Sequence, residues 1–434
     1  MTDHDTDRRS AADRKRDRDS DRDSDRDPDR DPDRNSAPDS TPPVRGGDRL
    51  RGATAEVISD AIGASDPLPG GFGFAGRIRR PAGSDDELGE AALVRDVLGR
   101  EPLFVEDECT VPTTDGAWAF DRRSLESPVP VPAGSLLTAA ETRSIWTLRT
   151  DPDPIETAQA AVNAAVREAI GRADDQGPEG EDVAVAFSGG VDSALVASGV
   201  PDAPCYVAGF EGCHDLEAAR QAIAAMDRED DLRIVEITHD DLTDAIPELV
   251  AATGRTNAMD LSIAIPLYLV ARAAAADGHD RLLLGQGADE LFGGYSKVVD
   301  PANDHRVEAE TVRGARDETV RSLPDQLARD VPAIRAAGIE PVTPLLADRV
   351  VDAALRLPGE LLATSDERKI ALRTAAAGLV PDSVRAADKK ALQYGTYVSR
   401  ELDRLARQAG FKRRMDDHVG KYVASILEDA DRDA

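Results

Sequence analysis

The chain has 434 residues, with 83 acidic against 53 basic side chains and a formal net charge of −30. This length suffices for two or three domains with a real hydrophobic core. No basic patch stands out in the part expected to fold, which argues against nucleic acid as a partner. Only seven lysines occur, and such an acidic, lysine-poor composition favours a cytoplasm of high salt concentration.

The N-terminus is charged and lacks the apolar stretch of a signal peptide. No apolar run looks long enough to span a bilayer. The three cysteines, Cys109, Cys205 and Cys213, have no paired spacing, which favours a reducing compartment without disulfides. We therefore expect a soluble, cytoplasmic protein without a membrane partner.

The first predicted element is a tail over residues 1–50, which contains "DRDSDRDSDRDPDRDPDR". The first 50 residues hold 15 Asp and 12 Lys or Arg, so the charges nearly cancel there. Almost nothing in this stretch is apolar, so burial cannot offset the entropy of ordering it. The tail is predicted to be disordered.

Residues 55–150 predict a small α+β or mostly β domain. Short apolar runs separated by Gly and Pro predict strands within "GGFGFAGRIRR", "PLFVED", "GAWAFDRRS" and "PVPVPAGSLL". The segment "DELGEAALVRDVLGR", residues 86–100, predicts one short helix.

Residues 155–420 predict an α/β domain with a parallel sheet and helices on both faces, because strands alternate with helices. Beyond residue 300 the pattern is mostly helical. A helix is predicted from 155, followed by strands at 182–187, 204–209, 232–237 and 281–285, and by helices at 192–199, 214–227, 241–252 and 262–277.

The stretch "VAVAFSGGVDSALVAS" places a Gly-rich turn between a strand and a helix. Such a turn points backbone N–H groups and the positive end of a helix at a ligand, and Ser188 and Ser193 add hydroxyls. The turn lacks the Gly-Lys-Ser/Thr of a Walker A loop. An ordinary capped turn is the structural alternative, which the full SGGxDS pattern disfavours.

Asp192 would repel a phosphate unless a cation lay between them. Mg²⁺ binds one or two carboxylates together with substrate phosphates, so a second carboxylate is expected. The stretch "RLLLGQGADELFGGY" supplies Asp289 just after another buried strand. Ligands bind at the carboxyl ends of strands in open α/β sheets, so Asp192 and Asp289 are the predicted Mg²⁺ pair. Glu290 is either part of this site or a cap of the next helix.

SGGVDS followed about 90 residues later by LGQGADELFGGY resembles the asparagine synthetase family of PP-loop ATP-pyrophosphatase amidotransferases. Weaker resemblance extends over roughly 55–415. It includes "ALVRDVLGREPLFVE", "EPVTPLLADRVVDAALRLP", "ERKIALRTAAAGLVPDSV" and "DKKALQYGT".

The resemblance implies that ATP is cleaved between its α and β phosphates, that a carboxylate such as that of aspartate is adenylated, and that ammonia displaces AMP. It implies Asp192, Asp289 and Lys389 as catalytic residues, with ATP and Mg²⁺ as cofactors. Lys389 lies six residues before Gly395, the family's spacing, although the adjacent Lys390 is an alternative. The residues implied to bind the nucleotide are Phe187, Ser188, Gly189, Gly190, Val191, Asp192, Ser193, Ala208, Leu284, Gly285 and Gln286.

The sequence departs from the family's pattern in its glutaminase half, which uses a cysteine directly after the initiator methionine. Here Thr2 follows Met1, and the first cysteine is Cys109. We therefore expect residues 55–150 to be a shortened, inactive relic of that domain. Ammonia would then be free or come from a separate glutaminase. Cys109 is expected to be an ordinary strand or loop residue.

A second departure is Gln286, where the family usually has Glu in GEGADE. Glutamine cannot act as a base, so another group takes the proton or the acceptor differs from aspartate and ammonia. Two alternatives follow: a ligase for another carboxylate, as in the β-lactam-forming relatives, and a nucleotide-binding regulator without catalysis. A homodimer is compatible with the asparagine synthetase-like ligase and with both alternatives. Cys213 and His214 lack metal-ligand spacing and are expected to begin a helix.

Overall fold

The computed structural model describes residues 49–79, 91–108, 112–148, 151–174, 181–387 and 395–433. These residues belong to one compact unit, Asp48–Ala434. Nearly all of the predicted tail lies outside the described residues. The same holds for Cys109, Lys389 and Lys390, so the expectations for them stay predictions.

The N-terminal part is built from short antiparallel strands in two sheets, with orders β1-β2-β3-β7-β8 and β5-β4-β6. This agrees with the predicted mostly β character. The elements are β1 (Arg49–Arg51), α1 (Ala55–Ala64), β2 (Ala75–Arg79), β3 (Ala91–Arg95), β4 (Phe104–Glu106), β5 (Trp118–Ala119), β6 (Pro128–Pro130), β7 (Ser135–Leu137) and β8 (Thr142–Ser144).

The prediction of a helix over residues 86–100 is wrong for the part of this range that the structure describes. Residues 91–95 form β3, which pairs with β2 on one side and β7 on the other. Leu93 and Val94 are fully buried in two different apolar clusters, so successive side chains point to opposite faces. Pairing on both edges outweighs the helix propensity of Ala and Leu. The helix α1, capped by Thr54, was not predicted.

The α/β part begins with strands and helices that alternate as predicted. They are α2 (Ile155–Gly171), β9 (Val183–Ala186), α3 (Val191–Gly199), β10 (Cys205–Gly209), α4 (His214–Ala225), β11 (Leu232–Glu236), α5 (His239–Thr253), α6 (Ala258–Ala276), β12 (Arg281–Leu283) and α7 (Ala288–Phe292). The five strands β11-β10-β9-β12-β13, of which β13 is Glu340–Val342, form one parallel sheet, which confirms the predicted fold class.

The remaining chain is mostly helical, also as predicted. It contains α8 (Val312–Arg321), α9 (Leu323–Ala336), β13 (Glu340–Val342), α10 (Asp348–Leu355), α11 (Ile370–Ala375), α12 (Asp382–Arg385), α13 (Val398–Gln408) and α14 (His418–Asp433).

Helices cover both faces of the parallel sheet. Successive residues of each central strand alternate between two apolar clusters: Val185 and Val207 face one, and Ala184 and Ala208 face the other. The first cluster includes side chains of α2, α3, α4 and α10, and the second includes side chains of α5, α6, α13 and α14. Burial on both faces explains why these strands read as nearly continuous apolar runs.

Among the described residues, one helix, α6, is long and apolar enough to cross a membrane by length and composition. The expectation that no such run exists was therefore too strict. Over half of the apolar stretch of this helix is buried inside the protein. Leu261, Ile265 and Leu269 are almost inaccessible to solvent and belong to the second cluster. This burial is that of a core helix.

A buried charge group joins the N-terminal part to α10. Arg100 Nε lies 2.9 Å from Asp96 Oδ1, and Arg100 Nη1 lies 2.7 Å from Asp348 Oδ1. Asp348 Oδ2 also accepts hydrogen bonds from the backbone N–H groups of Gly70 and Gly71 at 2.8 Å. All three charged side chains are at most 3% exposed, so removing one partner would leave buried, uncompensated charge.

Candidate active site

The first Gly-rich turn connects β9 to α3 and has the backbone shape of a ligand cradle. Gly189 has φ +77°, and a Cβ there would lie 2.5 Å from the carbonyl carbon of Ala218. Only glycine fits both constraints. The Ser188 N–H donates to Ser193 Oγ (3.2 Å), and the Ser193 hydroxyl donates to the Gly190 carbonyl (3.2 Å). The two hydroxyls are therefore held at the head of α3.

The second turn connects β12 to α7 and lies directly against the first. The two strands that carry the turns are neighbours in the parallel sheet, with Leu283 opposite Val185. A Cβ on Gly285 would lie 2.8 Å from the Asp192 Cβ, so the turns touch. The two turns are predicted from the sequence to lie together, and the structure brings them together.

A lysine that the sequence analysis did not single out lies between the two predicted metal ligands. Lys369 Nζ is 2.6 Å from Asp192 Oδ2 and 2.7 Å from Asp289 Oδ1. Burial alone would lower the pKa of Lys369, but the two carboxylates outweigh it and raise that pKa. The ammonium is therefore charged at neutral pH. Its only signal in the sequence is the general resemblance of "ERKIALR" to the family.

The Asp192 and Asp289 carboxylates fit the predicted Mg²⁺ site in kind and number. Both have an oxygen within 3 Å of the same nitrogen atom, so they converge on one point. Mg²⁺ prefers one or two carboxylates plus phosphate oxygens over an all-protein cage. The described residues contain no group of three or more His, Cys, Asp or Glu that could hold a metal. The pair therefore fits a magnesium ion that arrives with phosphates.

Both turns open into a cavity of about 780 Å³. One wall is apolar and is formed by the ends of β9 and β10 and by α6. Its members are Ala186, Phe187, Val207, Ala208, Ile263, Pro266, Leu267, Val270 and Leu284. Of the predicted nucleotide-binding residues, Gly189 alone does not line the cavity; the others do.

A second part of the lining, the polar wall, is formed by the second turn and the helices that follow it. Gln286 Nε2 donates to Asp330 Oδ2 at 2.9 Å. Asp330 is held by two hydrogen bonds from Arg329, whose third nitrogen donates to Asp260. The polar wall is lined by Gln286, Glu290, Tyr295, Ser322, Gln326, Arg329 and Asp330.

Glu290 is part of this wall, and the alternative that it caps the next helix is wrong. Gly287 occupies the N-cap position of α7, and Glu290 lies inside the helix at 3% exposure. The Tyr295 hydroxyl donates to Glu290 Oε1 at 2.5 Å. Burial, and then the charge of Asp289, raise the pKa of Glu290 to about 7.

The sequence model of the asparagine synthase family matches residues 162–335 and 303–428, which together are more than half of the chain. The chain belongs to the asparagine synthase family. The match covers both Gly-rich turns, Lys369 and the segment with Lys389, and it begins after the N-terminal antiparallel sheets.

Curated relatives agree with this assignment. A putative asparagine synthetase (glutamine-hydrolyzing) of Methanocaldococcus jannaschii is 27% identical over 283 residues, covering 57% of this chain and 52% of that protein. A probable asparagine synthetase (glutamine-hydrolyzing) of Acanthamoeba polyphaga mimivirus is 27% identical over 250 residues, covering 55% and 43%. The matched part spans about half the length of these relatives.

Lys389, the residue of this chain that the family resemblance implies as the catalytic lysine, lies outside the described residues. The residues on either side of that stretch are described. Ala387 lines the cavity, and a Cβ on Gly395 would overlap the carboxylate of Asp215, which also lines it. Both flanks of the segment therefore lie at the cavity, and the choice between Lys389 and Lys390 stays a prediction.

Cys213 and His214 begin α4, as expected. Cys213 is the N-cap residue and His214 is the first helical residue. The His214 ring packs edge-on against Tyr397, with ring centroids 5.4 Å apart. Cys205 and Cys213 are free and buried, and burial raises the pKa of the Cys205 thiol to about 12. These groups are part of the packing.

Proposed function

We propose that this member of the asparagine synthase family is an ATP- and Mg²⁺-dependent ligase that adenylates a carboxylate and then forms an amide with ammonia. With aspartate as the substrate, the products are asparagine, AMP and pyrophosphate. The observation that carries the proposal is the convergence of Asp192, Asp289 and Lys369 where two Gly-rich turns meet. This cluster lies at the carboxyl edge of a parallel sheet, where nucleotides bind.

The first turn supplies the phosphate contacts. Backbone N–H groups of Gly189 and Gly190 and the N-terminal end of α3 favour negative charge. The Ser188 hydroxyl lies at the same place, 3.3 Å from that of Ser193. The apolar wall of the same cavity, which includes Phe187 and Leu284, would accommodate an adenine ring.

Asp192 and Asp289 would hold Mg²⁺, which would neutralise charge on the departing pyrophosphate. Lys369 is a fixed cation in contact with both carboxylates. When phosphates enter, its ammonium is positioned to donate to them while it offsets the repulsion between the two carboxylates. Preorganised charge of this kind lowers the barrier to a step that develops negative charge.

The proposed reaction balances in two steps. A carboxylate oxygen of the substrate forms a bond to the α-phosphorus of ATP, and the bond from that phosphorus to the bridging oxygen breaks, releasing pyrophosphate. The nitrogen of ammonia then forms a bond to the acyl carbon, AMP departs with the shared oxygen, and one proton leaves the nitrogen. Lys389 is the proposed cation at the tetrahedral intermediate.

The nitrogen source is proposed to be free ammonia or a separate glutaminase, with residues 55–150 acting as an inactive packing domain. The buried Arg100 group, which joins this part to α10, supports a packing role. We place the enzyme in a cytoplasm of high salt concentration, because of its acidic, lysine-poor composition.

The test is pyrophosphate release by the purified chain with ATP, Mg²⁺, aspartate and ammonium in high salt. We expect release that depends on both the carboxylate and Mg²⁺, and loss of release in D192N and D289N. An absence of carboxylate-dependent release over a broad panel of acids would refute the ligase. Robust synthesis with glutamine as the sole nitrogen donor would refute the inactive relic alone.

A second candidate is favoured by one observation, Gln286 bonded to Asp330. The family's usual carboxylate is absent at this point of the wall, which suits a ligase that activates a carboxylate other than aspartate. Pyrophosphate exchange with a panel of acids separates the two candidates, because exchange with aspartate alone would remove the second.

A further inference from the structure

The second Gly-rich turn is held between two neighbours, and a glycine stands at each contact. A Cβ on Gly285 would lie 2.8 Å from the Asp192 Cβ. Gly287 has φ +87°, and the three atoms nearest to a Cβ there all belong to Leu346, with Cδ2 closest at 2.3 Å. Asp289 follows Gly287 by two residues, in the first turn of α7. The position of Asp289 therefore depends on where Leu346 lies.

Leu346 belongs to a short segment that lies behind the second turn. It is fully buried and ends the 3₁₀ turn Pro344–Leu346, which follows β13. At the other end of the same segment, the Val342 carbonyl accepts a hydrogen bond from the Leu284 N–H at 2.9 Å. The segment from Val342 to Leu346 thus contacts the second turn where it begins and where it enters α7.

Arg100, from the N-terminal part, holds this segment from its other side. Arg100 Nη1 donates to the Leu346 carbonyl at 2.7 Å and lies 2.7 Å from Asp348 Oδ1. Asp96 binds the same guanidinium at Nε, 2.9 Å away. The Arg100 side chain is 3% exposed, and a planar guanidinium with three partners has little freedom. The Leu346 backbone is therefore fixed relative to the N-terminal part.

The next residue, Glu101, reaches the start of the same segment through an arginine. Arg335 Nη2 lies 3.0 Å from Glu101 Oε2, and Arg335 Nε donates to Glu340 Oε2 at 3.0 Å. Glu340 is the first residue of β13. Two consecutive residues of the N-terminal part thus hold the segment behind the second turn, one near its start and one at its end.

We propose that Arg100 is a positioning residue of the synthetase site, which acts through Leu346 on the second Gly-rich turn and so on Asp289. This inference rests on the proposed function, in which Asp289 holds Mg²⁺. It gives the N-terminal part a role in the site beyond packing. A misplacement of about 1 Å can cost roughly a hundredfold in rate, and we expect about tenfold from the smaller shift that follows loss of the Arg100 contact.

The experiment measures binding of the α,β-methylene analogue of ATP by isothermal titration calorimetry, with Mg²⁺ and with EDTA. This analogue is not cleaved between its α and β phosphates, so its binding reports on the site without turnover. R100M and L346A are expected to lose about tenfold of the affinity that Mg²⁺ adds, because Asp289 is displaced. Their affinity in EDTA should stay close to that of the wild type, because the first turn is unchanged. Pyrophosphate release is measured in parallel.

Two controls match the chemical changes. R77M also removes a buried guanidinium from the N-terminal part, where Arg77 donates to Thr113 and Asp115. L345A truncates the neighbouring leucine, which is equally buried. Both should lower the midpoint of thermal unfolding and keep the full gain from Mg²⁺. If R100M or L346A does not fold, L346V and its control L345V, which each remove a single carbon, replace them.

The double variant R100M/L346A tests whether the two residues act along one path. If they do, the two losses of Mg²⁺-dependent affinity should not multiply. Losses that multiply, or an equal gain from Mg²⁺ in R100M and R77M, would overturn the inference.

The same measurements separate this inference from the proposed function. A lack of pyrophosphate release with every acid, while R100M still differs from R77M, would overturn the ligase and leave the positioning of Asp289 in place. A wild type whose affinity for the analogue does not respond to Mg²⁺ would overturn the metal assignment and this inference together.

Discussion

Replacing Lys369 by methionine tests the charge cluster at the centre of the site. The change keeps the length of the side chain and removes the cation between Asp192 and Asp289. Lys369 is 10% exposed by side chain, Asp192 22% and Asp289 45%. Breaking a buried ion pair costs about 3–5 kcal/mol. Because Asp289 is nearly half exposed, solvent screens its share, and we expect about 3 kcal/mol at most.

The assay is urea unfolding in metal-free buffer and in excess Mg²⁺. K369M should lose stability without metal, because two carboxylates then repel each other across the vacated position. Mg²⁺ should restore more of the lost free energy in K369M than it adds to the wild type, since both carboxylates become available to it. K421M, which changes an exposed lysine on α14, is the control and should change little.

The reasoning would be refuted by a K369M chain whose free energy of unfolding stays within about 0.5 kcal/mol of the wild type, the scale of an ordinary surface change. An equal response of both proteins to Mg²⁺ would separately refute the assignment of the two carboxylates as metal ligands.

Three further predictions concern other parts of the molecule. G189A should abolish ATP binding in a dialysis assay and destabilise the chain by about 1–3 kcal/mol more than G278A, which has a similar positive φ but open space around it. R100M should cost about 3–5 kcal/mol in urea unfolding, because both carboxylate partners stay buried; a loss below 1 kcal/mol would contradict this. Burial and the neighbouring Asp289 raise the pKa of Glu290 from 4.5 to about 7, so the folded state keeps a proton that the unfolded state releases. In metal-free buffer, stability should therefore fall as pH rises from about 4.5 to 7, by up to roughly 3 kcal/mol, and E290Q should flatten that slope.

Local pattern was enough to predict the α/β part. Strands buried on both faces have a run of apolar residues, and the turns that follow them are marked by glycine. The expectation that Asp192 and Asp289 converge needed one more rule, that ligand sites lie at the carboxyl ends of parallel strands. Both the strands and the carboxylates that follow them can therefore be located from the sequence alone.

What could not be predicted depends on contacts between distant segments. Residues 91–95 resemble a helix locally and become a strand because β2 and β7 flank them. Lys369 is separated by 177 residues from Asp192, and only the general family resemblance of "ERKIALR" distinguishes it from a surface lysine. The Gln286–Asp330 bond likewise joins two segments with no pattern in common.

The scarcity of lysine gives the cluster a practical consequence. The chain has seven lysines among 53 basic residues, and the rest are arginines. Amine-directed labelling therefore has few targets, and each modified lysine can be read separately by mass spectrometry. Because Lys369 is buried and held as an ammonium between two carboxylates, it should be labelled far more slowly than the exposed Lys412 and Lys421.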